Sequence, residues 1–382
     1  MSSPVSRSKW LNREPMLAAC VPLLTADDPT DADVGPFLGA LPEDPSSEDV
    51  AKILLLLQRH RIDQLVTHAL SSGGWDSRVP AELREVLSET RRRQTIALMQ
   101  RQGAAEAARE ALRDIPHVFF KGLGLAEWLY GDPLLRPSVD IDVLVLPADR
   151  SRAREALGDG GFTVVPQADQ PPYEEALFGH GAHLDLHWHP VSPVRSRIPL
   201  TPLFLGGRQE RAGSWYPSAE ATLLALLLNP SLTDHVTQSL IHALDLHRFL
   251  RARTFDQGWV VDTLRRAGLA AAAWAMLEHT RCCLGPGGTV ADALHAELAP
   301  SARRRRLIQG WLDRDPAELH GRHPLWVRGG FGVLLHDSLV QGLWALGRTA
   351  LAVAIRNAIN RRRPTSRDSN RAASSESAGP GR

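Results

Sequence analysis

The sequence LRPSVDIDVLVLP, residues 135–147, places two aspartates one residue apart in an otherwise apolar run. Successive side chains of a strand point to opposite faces, so Asp140 and Asp142 would share one face. The apolar residues that alternate with these positions would then pack in a core on the other face: Val139, Ile141, Val143 and Val145. Alternate Cα atoms of a strand lie roughly 6.5 Å apart. Both carboxylates can therefore converge on one or two divalent cations, which prefer oxygen ligands.

Short strand patterns alternate with short helical patterns around this stretch. HVFF at residues 117–120, FTVVP at 162–166 and AHLDLHWHP at 182–190 are typical of strands. KGLGLAEWLYG and ADRSRAREALGDGG are typical of helices that end at glycine. This alternation predicts an α/β or α+β core, which we place at residues 116–205.

The remainder of the chain is predicted to be helical or poorly ordered. Residues 1–46 are rich in Pro, Asp and Ser and predict a poorly ordered lead-in with at most one short helix. Apolar spacings of three and four predict an N-terminal helical region over 47–115, with Ser47 as a cap, and a C-terminal one over 206–360. The Ser/Arg/Gly-rich residues 361–382 predict a disordered tail.

Composition narrows the class of protein. The 382 residues are 43% hydrophobic and 23% charged, with a net charge of +1, so no overall field favours nucleic acid or an anionic membrane. Three unpaired cysteines and no apolar leader favour a cytoplasmic protein. Polar residues interrupt the apolar stretch 331–360, which predicts no membrane span. A packed C-terminal helix is expected there, with a membrane-surface helix as the alternative.

A third acid and a glycine turn accompany the aspartate pair. Asp185 is a lone acid in a strand pattern and is a candidate third carboxylate for two-metal phosphoryl chemistry. Lys121, Gly122 and Gly124 lie where a strand passes into a helix, and backbone amides at a helix N-terminus suit a phosphate. The alternative is a solvent-facing acidic strand edge beside an ordinary tight turn.

Two other patterns suggest different partners. His183, Asp185, His187 and His189 alternate along one strand and could bind zinc or iron, although His187 is more simply a neighbour or hydrogen-bond partner of the acidic site. The arginine run at residues 303–306 could contact RNA, but a solvated helix face is the simpler interpretation because no aromatic residues accompany it.

The order of these patterns resembles that of bacterial nucleotidyltransferase-family proteins related to DNA polymerase β-type transferases. The order is a strand, a Lys-Gly turn, a helix, the sequence LYGDPLLRPSVDIDVLV, a second helix and the sequence LDLHW. The branch that this chain is similar to carries Lys-Gly where Gly-Gly or Gly-Ser is usual. Its genes often accompany those for lasso peptides, a class of ribosomal peptide natural products, or for capsule synthesis. The resemblance covers residues 116–190 and, more weakly, the helical segments 47–112 and 215–290.

This resemblance implies an α+β fold with a small mixed β-sheet between N-terminal and C-terminal helical subdomains. It implies Mg²⁺ or Mn²⁺ as the metal and an NTP such as ATP as co-substrate. The implied metal ligands and catalytic residues are Asp140, Asp142 and Asp185, and the implied nucleotide-binding residues are Lys121, Gly122, Gly124, Arg136 and Ser138. The implied reaction moves an NMP to a hydroxyl of a peptide natural product, small molecule or protein. A nucleotide-binding or partner-binding module without catalysis is the alternative.

Overall fold

The structure is a computed structural model that describes residues 11–167, 170–233, 236, 239–314 and 325–362. The predicted α+β class is confirmed. The helices are α1 (Pro15–Thr25), α2 (Asp31–Ala40), α3 (Ser47–Arg59), α4 (Asp63–Ser72), α5 (Ala81–Ala111), α6 (Gly122–Tyr130), α7 (Arg150–Asp159), α8 (Thr201–Gly206), α9 (Ala219–Leu232), α10 (Leu240–Ala252), α11 (Gln257–Ala267), α12 (Ala270–Leu284), α13 (Thr289–Glu297), α14 (Ala302–Leu312), α15 (Leu325–Leu334) and α16 (Leu339–Arg362). The strands are β1 (His117–Phe119), β2 (Asp140–Val145), β3 (Thr163–Val164), β4 (Glu174–Gly179), β5 (Ala182–His187), β6 (Gln209–Arg211) and β7 (Ser214–Tyr216).

A mixed five-stranded sheet carries the acidic residues. Its strand order is β1-β2-β5-β4-β3, and β6 and β7 form a separate two-stranded sheet. Strands β2 and β5 are parallel neighbours, whereas the other adjacent pairs are antiparallel. The connection from β2 to β5 passes through α7 and the β3–β4 part of the sheet, which explains how two strands distant in sequence become adjacent.

The two faces of the sheet have different roles. One face packs against α5 and α7, and the core there includes Ile141, Val143 and Val145, as the alternation predicted. Val139 does not join this core and is 65% exposed, because it precedes the first paired residue of β2. The other face carries Asp140 and Asp142, followed by Leu144, which belongs to the larger core shared with the helical regions.

The N-terminal region is more ordered than the sequence suggested. The expectation of a poorly ordered lead-in is wrong for residues 11–46, because α1 and α2 bury Leu17, Leu23 and Phe37 in the larger core. Residues 1–10 lie outside the described part. The cap of α3 is Ser46 rather than Ser47, since the Ser46 side chain accepts from the backbone N–H of Asp49. The first part of the predicted N-terminal helical region divides into α3 and α4 near Arg61, whose φ is +55°.

The region 206–360, predicted to be helical, contains helices α9 to α16 but also the unpredicted strands β6 and β7 near its start. Helices α9, α10 and α12 pack against one another and form much of the larger core. None of the helices in the described ranges has both the length and the apolar content required to cross a bilayer. The apolar stretch 331–360 is not one packed helix: α15 ends at Leu334, and α16 begins at Leu339 with several exposed apolar side chains. Of the predicted tail, residues 363–382 lie outside the described part.

Candidate active site

Three carboxylates lie on adjacent strands of the sheet. Parallel pairing of β2 with β5 places Asp142 directly opposite Asp185 and Asp140 opposite His183. Residues paired in this way have side chains on the same face. Asp142 is buried, while Asp140 and Asp185 are partly exposed, so the group opens to solvent on one side. The three acids proposed from the sequence thus lie on one face of adjacent strands, with Asp142 and Asp185 the closest pair and Asp140 outside the group of close ligand atoms.

Asp142 has two hydrogen-bond partners, Lys121 and His187. Its Oδ1 accepts a hydrogen bond from Lys121 Nζ at 3.1 Å and lies 3.0 Å from His187 Nε2. Burial opposes ionisation, but Lys121 and His187 outweigh it and hold the pKa of Asp142 below its usual range. Burial likewise opposes the charge on Lys121, yet Asp142 leaves the lysine pKa raised overall. Asp142 is therefore ionised at neutral pH.

Within the described part of the chain, Asp185 forms no ion pair with a lysine or an arginine. Burial, followed by the charges of Asp142 and Asp140, raises the pKa of Asp185 from 3.8 to about 7. Burial and the charge of Asp142 also raise the pKa of Asp140. Ser138 Oγ donates to the Asp140 carbonyl oxygen at 2.9 Å and lies 3.2 Å from its Oδ1, which positions that carboxyl group. Burial and mutual repulsion thus oppose ionisation of both Asp140 and Asp185.

These donors fit a divalent metal ion. Ligand atoms of Asp142, Asp185 and His187 all lie within 4.8 Å of one another. A bound cation would stabilise the ionised form of Asp185 against the burial and the neighbouring acids that raise its pKa. Among the described residues, His183 and His189 do not belong to this group: His183 lies exposed against Phe178, and β5 ends before His189. The four-residue site for zinc or iron is therefore not assembled.

The Lys-Gly turn lies directly against the start of β2. Gly122 has a φ of +44°, and a Cβ added there would lie 2.8 Å from Ser138 Oγ. Glycine is required at this position because both the backbone conformation and the close approach exclude a side chain. Gly124 has a different role, since a Cβ there would lie 2.3 Å from Cε1 of Tyr216. It allows α6 to pack against β7.

Arg136 is engaged in a buried ion pair. Its Nε lies 2.8 Å from Asp245 Oδ2 and its Nη2 lies at the same distance, while Tyr130 OH donates to Asp245 Oδ1 at 2.8 Å. Arg136 and Asp245 are both almost inaccessible to solvent. The ion pair links the segment before β2 to α10. Arg136 Nη1 also lies 3.4 Å from the Gly122 carbonyl oxygen, so Arg136 also contacts the Lys121–Gly122 turn.

Three residues that the sequence did not single out belong to the surroundings of the site. Glu174 Oε2 lies 3.1 Å from His187 Nδ1, because antiparallel pairing of β4 with β5 places the two residues opposite each other. Arg101 on α5 is buried, its Nε has no hydrogen-bond partner among the described residues, and the charge of Asp140 acts on it. The charge of Arg61 lowers the pKa of Asp140 against the larger effect of burial. These arginines are indistinguishable in sequence from the many others.

The comparison with known proteins decides the family. A family model described as "Uncharacterised nucleotidyltransferase" matches residues 46–285. The chain belongs to this nucleotidyltransferase family. The match runs from the N-cap of α3 to the residue after α12, and so includes the sheet, the three acids and the Lys-Gly turn. No curated protein and no solved structure matches the chain.

Proposed function

We propose that the protein transfers an NMP from an NTP to a hydroxyl group of an acceptor, with release of pyrophosphate. The observation that carries this proposal is the arrangement of Asp140, Asp142 and Asp185 on paired strands beside the Lys121–Gly122 turn. Family membership supports nucleotidyl transfer in general. The proposed acceptors are a peptide natural product, a small molecule or a protein.

In the proposed reaction, the hydroxyl oxygen of the acceptor attacks the α-phosphorus of the NTP. A new phosphorus–oxygen bond forms, and the bond to the β-phosphate oxygen breaks. If Asp185 does not bind the metal, it accepts the hydroxyl proton, because its pKa of about 7 suits a general base at neutral pH. If Asp185 is a metal ligand, the hydroxyl proton passes to solvent. Pyrophosphate leaves as the anion.

Cationic side chains on this chain would balance the phosphate charge. Lys121 lies at the helix N-terminus of α6, where backbone N–H groups are also available to an anion. Arg101 is a second candidate: a buried guanidinium with an unpartnered Nε is costly and gains from an anionic ligand. We assign Arg101 to the triphosphate, together with Lys121.

Mg²⁺ or Mn²⁺ is the proposed metal. Asp142 and Asp185 would hold it, with Asp140 or His187 completing the protein ligands. When bound, such an ion neutralises phosphate charge and orients the reacting oxygens.

The proposal is tested with α-phosphate-labelled NTPs, Mg²⁺ and a panel of candidate acceptors, with pyrophosphate release as the readout. Asp140→Asn should lower the rate by at least about a hundredfold, because electrostatic stabilisation dominates phosphoryl transfer. The exposed Asp159→Asn on α7 is the matched control and should retain activity. NTP binding without turnover on any acceptor would favour the non-catalytic module, and an unaffected Asp140→Asn protein would contradict the site.

The role of Arg101 is tested separately by NTP titration. Arg101→Met should weaken NTP binding by roughly tenfold or more, because one charge-assisted hydrogen bond is lost. Arg92→Met, on the exposed side of the same helix, should bind as the wild type does. Equal affinity in both variants would remove Arg101 from the triphosphate site.

A further inference from the structure

Helix α16 presents an apolar surface to solvent. Leu339, Val340, Leu343, Trp344 and Leu351 are all more than half exposed. At 3.6 residues per turn, these positions and the partly exposed Leu346 fall within an arc of about 160° on one side of the helix. A soluble helix normally turns such an arc toward the protein core. In α16 the apolar arc faces solvent instead.

The opposite side of α16 holds the helix in this orientation. Gln341 Nε2 donates to the carbonyl oxygen of Arg195 at 3.0 Å and lies 3.2 Å from that of Ala267. Gly342 packs so closely on α15 that a Cβ would lie 2.6 Å from the Val333 carbonyl oxygen. Ala345 is buried on the same side. Rotating the apolar arc inward would break these contacts, so its exposure is built into the fold.

The charges of α16 have a single sign. The helix contains four arginines, no lysine and no acidic residue. Arg348 lies at the border of the apolar arc, with its guanidinium carbon 5.4 Å from the centre of the Trp344 ring. Association with a second copy would bring two cationic helices together. An anionic surface is the better electrostatic complement.

We propose that the outward side of α16 binds the surface of an anionic lipid bilayer. Leucine and tryptophan side chains would enter the boundary between headgroups and acyl chains, while Arg348, at the border of the apolar arc, would contact a lipid phosphate. The helix would lie in the plane of the surface rather than cross it, consistent with the lack of a spanning helix in the described ranges. The proposal is independent of the nucleotidyl transfer activity.

The test is co-sedimentation of the full chain with vesicles of phosphatidylcholine alone or mixed with phosphatidylglycerol. The wild type should bind the mixed vesicles, and added salt should weaken binding. The Leu343→Glu/Trp344→Glu double variant should bind roughly tenfold or more weakly, because two apolar side chains no longer enter the lipid. Ile96→Glu/Met99→Glu is the matched control, since both residues are exposed on α5.

Thermal unfolding shows whether each variant retains the fold, which we expect because every substituted side chain is exposed. Three outcomes would overturn the proposal: no binding of wild type to the mixed vesicles, equal loss of binding in both double variants, or a dimer that only Leu343→Glu/Trp344→Glu converts to a monomer. The last result would assign the surface to a second copy of the chain.

Discussion

The raised pKa of Asp185 makes metal binding depend on pH near neutrality. Its pKa rises from 3.8 to about 7 through burial and the neighbouring acids. This corresponds to about 4 kcal/mol opposing ionisation, an upper bound because the side chain is partly exposed. The carboxyl must lose its proton to bind a cation. Below about pH 7, the proton on Asp185 alone should therefore make the apparent Mn²⁺ association constant rise about tenfold per pH unit, and this contribution should level off above that pH.

Isothermal titration with Mn²⁺ between about pH 5 and 8 measures this dependence without an acceptor. Asp185→Asn should bind Mn²⁺ more weakly and lose the slope. His187→Gln is the matched control, because it removes the neighbouring titrating ligand and should retain a slope of about tenfold per unit. If Asp185→Asn kept the wild-type slope while His187→Gln lost it, the pH dependence would belong to His187 and the reasoning about Asp185 would be refuted.

The same carboxyl affects stability in the metal-free protein. Because its pKa is higher in the folded than in the unfolded state, the folded protein binds the extra proton. The contribution of Asp185 to the free energy of unfolding is present below about pH 4 and is lost as the pH rises through about 7. Denaturant unfolding of wild type and Asp185→Asn across this range should show the difference, and saturating Mn²⁺ should restore stability to the wild type.

Two further substitutions test the packing around the site. Asp245→Asn leaves Arg136 buried without its counter-charge and should lower the free energy of unfolding, measured in urea, by about 3–5 kcal/mol. The double variant Arg136→Met/Asp245→Leu should lose less stability, because no unpaired charge remains buried. A loss below about 1 kcal/mol in Asp245→Asn would contradict the ion pair. Gly124→Ala should lower the free energy of unfolding by about 1–3 kcal/mol because its Cβ overlaps the Tyr216 ring. Tyr216→Leu should reduce that penalty, and additive effects in the double variant would show that the two residues do not contact.

Local patterns predicted the elements best where periodicity was strong. The alternation in β2 and the glycine stops of α6 and α7 predicted strand and helices close to their observed bounds. Strand β4 and the β6–β7 hairpin were missed, because their short, mixed sequences carry no clear period. The lead-in was misjudged for a similar reason: Pro and Asp suggested disorder, but α1 and α2 are stabilised by burial against distant helices.

Residue roles were harder to predict than elements. The guanidinium of Arg136 is paired with Asp245, which lies 109 residues further along the chain, and the sequence did not indicate this contact. Nor did it indicate that Gly124 accommodates the ring of Tyr216. Both roles depend on how α10 and β7 dock onto the core, and no local pattern encodes that docking.

The sequence alone determined that Asp140 and Asp142 share a face, because a period of two is a property of any strand. It also predicted a glycine turn beside them, because a positive φ and a close backbone approach require glycine. Only the tertiary structure decided that Asp142 lies opposite Asp185, that Lys121 and His187 contact it, and that the pKa of Asp185 is raised. Those features depend on the register between β2 and β5 and on burial. Both are set by contacts among residues far apart in the chain.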